Sequence, residues 1–215
     1  MNPHVDDQHG GAGGRPPMSP AQAWDVLIAG HERFLRGEPR NSNMRREDFA
    51  DLTRGQQPYA TILGCSDSRV PPELIFDAGP GDLFVIRVAG NLLSPEVAGS
   101  LQYAGAHLET PLFVVLGHSD CGAVKAALGS LLQGVQHFSR IQILVDSILP
   151  SLEHVDRARP LQDALAAAVE ANVRTTMRAI LESPEGQSRV RNGSRKLVGA
   201  IYDIASGRIR FLDQA

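Results

Sequence analysis

The chain has 215 residues, a net charge of −3, and 42% hydrophobic against 21% charged residues, the balance of a soluble globular protein with material for one sizeable core. The slight negative charge gives no electrostatic case for nucleic acid or a membrane surface as partner, and no apolar run approaches the roughly 20 residues of a membrane helix. Met1 to Pro17 lacks the basic start and apolar stretch of a signal peptide, so the protein is expected in the cytoplasm, where two thiols near His and Asp serve as ligands or catalysts rather than as a disulfide.

Residues 1–18 are expected to form a disordered tail, because Gly10-Gly11-Ala12-Gly13-Gly14 and Pro16-Pro17 can bury nothing. Residues 19–215 are read as a single domain. Ser19-Pro20 is an N-cap and N1 pair that opens a helix. In it Trp24, Leu27, Ile28, Phe34 and Leu35 fall on one stripe, and Gly37 and Pro39 end it. The stripe needs a surface to cover, either the core or a partner subunit.

From there strand and helix alternate. Tyr59 to Leu63 is a short apolar strand that ends at Gly64-Cys65, and Gly79-Pro80-Gly81 is a tight turn rather than a phosphate cradle. Asp82 to Val88 is a second strand. Ser94-Pro95 opens a helix with Val97, Leu101, Tyr103, Ala104 and Leu108 inward. Leu112 to Leu116 is a third strand, apolar throughout, as expected when both faces are covered. Helices are expected over Cys121 to Leu132, Ser139 to Leu149 and Leu161 to Leu181. The cluster Arg189, Arg191, Arg195 and Lys196 reads as a solvated turn. Lys196 to Tyr202 is a fourth strand, and Asp203 to Gly207 turns into a last one, Arg208 to Leu212, antiparallel to it. The pattern predicts an α/β fold, a mostly parallel sheet of about five strands flanked by helices, with an extended N-terminal helix.

Two segments carry the chemistry. Cys65-Ser66-Asp67-Ser68-Arg69 and His118-Ser119-Asp120-Cys121-Gly122 hold the only two cysteines of the chain, each close to a second metal-ligand type. Two thiolates, one imidazole and one carboxylate make a tetrahedral zinc set. Both segments begin where an apolar strand stops, and open α/β sheets form sites beyond the carboxyl ends of strands where connections diverge. If the first and third strands are neighbours, the segments meet. Cys121 and Gly122 would lie in the first turn of a helix, whose free N–H groups favour a thiolate and nearby anions, and Gly122 lets the backbone approach a ligand closely.

Asp67 decides what such a site does. On the metal it closes the centre; off it, a water takes the fourth position and becomes a nucleophile. Arg69, two residues on, gives the carboxylate a bidentate partner that keeps it ionised and aimed. Ser66, Ser68 and Ser119 sit in no nucleophile elbow and read as turn hydrogen-bonders. His31, His107, His137 and His154 have no ligand-like neighbours and read as structural or exposed, and Trp24 as packing.

Cys-Ser-Asp-Ser-Arg-Val and Gly-His-Ser-Asp-Cys-Gly-Ala resemble the paired zinc signatures of the β-class carbonic anhydrases. The likeness extends over most of 19–213, including Phe84 to Asn91 and the Gln102-Tyr103 helix. It implies one zinc ion held by Cys65, His118 and Cys121, with Asp67 as a further ligand only in a closed state. It implies a catalytic dyad in which Arg69 holds Asp67 and Asp67 orients the hydroxide that zinc supplies. Gln56, Phe84, Ala89 and Tyr103 fall where the family lines its carbon dioxide pocket; Ala89 departs from the Val of some members. The Gly122 amide would lie near bicarbonate. The implied activity is reversible hydration of carbon dioxide to bicarbonate. The implied assembly is a homodimer, or a dimer of dimers, joined through an N-terminal helix lying across the partner. The alternatives are hydrolysis of carbon disulfide or a related heterocumulene on the same scaffold, and a catalytically inactive structural zinc protein.

Overall fold

A computed structural model describes residues 16–40 and 51–214. Five strands form one sheet among the described residues: β1 (Ala60–Gly64), β2 (Leu83–Arg87), β3 (Leu112–His118), β4 (Lys196–Tyr202) and β5 (Ile209–Gln214). Their spatial order is β2-β1-β3-β4-β5. The first four pair in parallel and β5 runs antiparallel to β4. β1 and β3, the strands that lead into the two cysteine segments, are therefore neighbours, with Gly64 opposite Leu116.

Helices cover both faces, as near-continuous apolar strands require. On one face α1 (Pro20–Arg36) and the single turn α2 (Pro72–Ile75) lie over Ala60, Ile62, Val114, Leu116, Val198 and Ala200. Ser19 caps α1 in a complete capping box with Gln22, and Gly37 ends it in the left-handed conformation at φ 68°, as Ser-Pro and Gly dictate. On the other face α3 (Pro95–Ala106) packs Val97 and Leu101 on Leu63. There α6 (Leu161–Glu182) packs Val173 and Met177 against Val115 and Leu197. A third cluster joins α4 (Gly122–Gln133), α5 (Arg140–Ile148) and α6 around Val124, Leu128, Ile148 and Leu165, and Cys65 and Cys121 belong to it.

Several expectations change. α1 covers its own core: Ala23, Leu27, Gly30 and His31 are its buried residues and they pack on this chain's own sheet, while Val26 and Leu35 stay exposed at 37% and 40%. Asp77 holds it there, accepting from Arg33 Nε at 2.5 Å and from the Arg40 amide at 3.0 Å. Trp24 does pack, edge-on to Phe211 of β5. Of the two readings of His31 the structural one holds: it is buried, and Nδ1 donates to the Ile75 carbonyl at 3.1 Å. Tyr103 points outward at 44% exposure, and Leu108 lies beyond the end of α3. β3 runs two residues further than expected, through His118. A short helix α7 (Pro184–Arg191), capped by Ser183, takes up Arg189 and Arg191, so the expected turn shrinks to residues 192–195 before Lys196 opens β4. Arg189 and Arg195 are half-buried and both donate to the Gly105 carbonyl at the C-terminal end of α3, where cations suit the exposed carbonyls. Of the expected tail, residues 1–15 lie outside the described residues, and Met18 packs against the core.

Candidate metal centre

β2 lies on one side of β1 and β3 on the other, so the chain leaves the ends of β1 and β3 in a crevice between diverging connections. Cys65 follows β1 directly, His118 is the last residue of β3, and Cys121 is the N-cap residue of α4. The tight Ser119-Asp120 turn makes the second step possible. Asp120 adopts φ 54°, a conformation Asp tolerates better than most residues. The Ser119 amide donates to the Tyr202 carbonyl at 2.8 Å, and the Ser119 hydroxyl accepts from the Ile204 amide at 2.9 Å. The turn is thus stitched to the end of β4.

The Cys65, His118 and Cys121 donor atoms all lie within 4.8 Å of one another, and all three residues are buried. His118 Nδ1 contacts the Ser119 carbonyl oxygen at 2.9 Å. A carbonyl only accepts, so Nδ1 carries the proton and Nε2 presents its lone pair. That Nε2 is buried with no hydrogen-bond partner, which costs about 1–3 kcal/mol when nothing takes its lone pair. A divalent ion of zinc's borderline softness fits this set of two sulfurs and one oriented imidazole nitrogen. Both cysteines are free. The two sulfurs share a proton: the Cys121 thiol, donating to Cys65, holds it below the usual thiol range. The Cys121 thiol is pushed up by that same bond and by burial.

Asp67 stands beside this group rather than in it. Its Oδ2 lies 3.9 Å from His118 Nε2. Both carboxylate oxygens are taken by Arg69: Nε to Oδ1 at 2.9 Å, Nη2 to Oδ2 at 2.7 Å, and the Arg69 amide to Oδ1 at 2.9 Å. The guanidinium holds the carboxyl well below the usual carboxylate range. Asp120 sits behind Arg69, with its carbonyl 3.4 Å from Nη2.

Arg87 and Gly90 escaped the sequence reading as site residues. Arg87, at the end of β2, donates from Nε to the Cys65 carbonyl at 2.9 Å and from Nη2 to the Asp67 carbonyl at 2.5 Å. Two donors of one planar fork thereby fix the backbone on either side of Ser66. The Gly90 amide donates to Cys65 Sγ at 3.4 Å. The one signal available was a charged residue closing an apolar strand just before Ala-Gly-Asn.

The expected substrate-side residues separate into two groups. Ala89 opens the Ala89–Asn91 turn next to Gly90, and Gly122 follows Cys121 with open space where a side chain would be. Both belong to the metal end of the sheet. Phe84 does not. Its register partner on β1 is Thr61, four residues before Cys65, a separation of roughly 13 Å along a strand. Tyr103 pairs with Phe84 at 6.1 Å between ring centroids, on the outer side of the β2 edge. Gln56 precedes the start of β1 and is exposed. Within one chain these three do not line the metal centre, because strand register carries them to the other end.

Residues 60–209 match the family model described as carbonic anhydrase. Carbonic anhydrase 2 of Mycobacterium tuberculosis (strain CDC 1551 / Oshkosh) is 38% identical over 197 residues, covering 90% of this chain and 93% of its own length. The carbonic anhydrase of Mycolicibacterium smegmatis is 37% identical, covering 90% and 94%. Among solved structures, one of two tetrameric β-carbonic anhydrases from Sordaria macrospora superposes with a TM-score of 0.72 at 25% identity, over 91% of this chain and 96% of that one. The Coccomyxa β-carbonic anhydrase in complex with acetazolamide does so with a TM-score of 0.71 at 26% identity, over 89% and 86%.

Proposed function

The chain belongs to the β-class carbonic anhydrases, and on that premise we propose that it hydrates carbon dioxide reversibly to bicarbonate and a proton, using one zinc ion held by Cys65, His118 and Cys121. Zinc bound by these residues would supply a hydroxide nucleophile near neutral pH and act as a Lewis acid. The rest falls to the protein. Asp67, ionised and held by Arg69, accepts a hydrogen bond from the nucleophile and leaves a lone pair aimed at carbon. Arg69 keeps that carboxylate off the metal. Arg87 holds the Cys65–Asp67 backbone so that ligand and orienting group keep their spacing. The Gly122 amide and the open space beside it receive the bicarbonate product.

The observation that carries this reading is the bidentate Arg69–Asp67 pair beside the donor group. A purely structural metal site has no use for an arginine that keeps a fourth ligand away. Asp67→Asn is expected to retain zinc while losing about 100-fold or more in hydration rate. A zinc-loaded Asp67→Asn protein with full turnover would refute the dyad.

The distance of Gln56, Phe84 and Tyr103 from the metal end supports a pocket completed by a second copy of the chain. The exposed Tyr103 and the half-exposed β2 edge offer the surface for it. We take the assembly to be a homodimer or dimer of dimers, located in the cytoplasm, where the two free thiols stay reduced.

A further inference from the structure

Cys65 is held not only by its own loop but by a turn that α6 fastens from behind. The Ala89–Asn91 turn has left-handed backbone at Gly90 (φ 73°) and Asn91 (φ 44°). A side chain at position 90 would press within 3.0 Å of Ile148 Cδ1 and 3.2 Å of Ala123 Cβ, so only glycine suits both the conformation and the space. In this conformation the Gly90 amide points at the Cys65 sulfur, 3.4 Å away. Its carbonyl points the opposite way and accepts from Asn172 Nδ2 at 2.8 Å. The next carbonyl, Asn91, accepts from Thr176 Oγ1 at 3.3 Å. Asn172 and Thr176 are one helical turn apart on the buried face of α6, at 2% and 5% exposure, amid apolar neighbours that need no polar partner.

We propose that Asn172 and Thr176 are positioning residues for the metal centre: by fixing the Gly90 and Asn91 carbonyls they aim the Gly90 amide at the Cys65 thiolate and set how much charge that sulfur gives to the metal. A hydrogen bond to a ligating sulfur withdraws electron density from it, and such outer partners tune metal sites strongly. The pair acts across the Gly90 Cα. Asn172 anchors the peptide between Gly90 and Asn91 and Thr176 anchors the one after it, so the preceding peptide, whose amide meets the Cys65 sulfur, is hinged on a fixed neighbour and its direction is set by the left-handed backbone at Gly90. α6 contributes no ligand of its own, yet it governs one that lies 107 residues earlier in the chain (172 minus 65).

The inference rests on the metal assignment above, and cobalt-substituted protein separates the two. Wild-type protein is expected to bind one cobalt ion per chain and show a sulfur-to-cobalt charge-transfer band. In Asn172→Leu and Thr176→Val that band should move to longer wavelength, because a sulfur freed of its hydrogen bond gives up charge more easily. Thr176→Ser, which keeps the hydroxyl, should restore the wild-type position. The band decides the matter. Folded variants that bind cobalt with an unmoved band would show that the two side chains only satisfy carbonyls, and would overturn the proposal while sparing the metal assignment. Should Asn172→Leu not fold, the nearly isosteric Thr176→Val decides alone. A wild-type protein that binds no cobalt and no zinc would overturn both.

Discussion

Arg69 donates three hydrogen bonds to one carboxylate from a position only two residues away, and so short a link makes the pair a local decision of the sequence. Its removal should change the ligand set: Arg69→Ala frees Asp67, whose Oδ2 is already 3.9 Å from His118 Nε2, to move onto the metal. X-ray absorption at the zinc edge should then show one more carboxylate oxygen, and an unaltered ligand shell would count against the switch. A second residue-scale consequence concerns pH. Burial lowers the pKa of His31 below its ordinary 6.5, so the folded protein binds this proton less readily than the unfolded chain does. The stability His31 contributes is then complete above about pH 6.5 and is lost as pH falls from there through the depressed folded-state value. Urea midpoints between pH 7.5 and 5 should decline less in His31→Gln than in wild type, and parallel declines would refute the assignment. At this scale the Cys65, His118 and Cys121 cluster and the Arg69–Asp67 pair were legible in the sequence, because each draws on a short segment whose spacing is its chemistry. Arg87, Asn172 and Thr176 were not, because their roles exist only in what the fold brings to them.

Among the elements, α1 is where physical detail overrides the pattern of apolar residues. The helix seats through its smallest residue: a Cβ at Gly30 would collide with the carbonyl oxygen of Phe76, which is backbone and cannot swing aside. Gly30→Ala should therefore destabilise by about 1–3 kcal/mol, despite the helix propensity that alanine adds. A variant as stable as wild type in urea would mean that α1 does not dock as described. The predicted stripe marks the contact face, with Leu27 in the core and Trp24 and Phe34 packed against it, but it misses the small residues Ala23 and Gly30 and the buried His31, and Leu35 is exposed. Strands were easier to read than helix faces, because β1 and β3 are buried almost throughout. Turn chemistry accounts for the remaining miss. Ser183-Pro184 has the same N-cap and N1 signature as Ser19-Pro20 and starts α7, but the run of arginines after it hides the helix from any apolar periodicity.

For the molecule as a whole, the sheet order decides both what one chain assembles and what it leaves open. Placing β1 beside β3 joins Cys65 to His118 and Cys121; pattern alone put both segments at strand ends and left that adjacency as the condition. Register then carries Phe84 and Tyr103 away from them, which no single-residue reading could reveal. If a second copy supplies these side chains, two defective chains should complement each other. Cys121→Ser lacks a metal ligand and Tyr103→Ala lacks a pocket wall, yet their hybrid dimer holds one complete site. Co-refolded in equal amounts, they should recover about a quarter of wild-type hydration activity by random pairing in a twofold dimer. Activity no higher than the mean of the two variants would place Tyr103 outside a shared pocket. The central claim remains that this fold gathers a zinc centre in order to hydrate carbon dioxide. Stopped-flow hydration measured from pH 6.5 to 9, on protein whose zinc content is determined, tests it directly. Two thiolates leave the metal a weaker Lewis acid than an all-histidine set would. The account therefore predicts one zinc per chain and a rate that climbs toward alkaline pH. Zinc-replete protein with no hydration above the uncatalysed rate, or with a rate flat across that range, would contradict it.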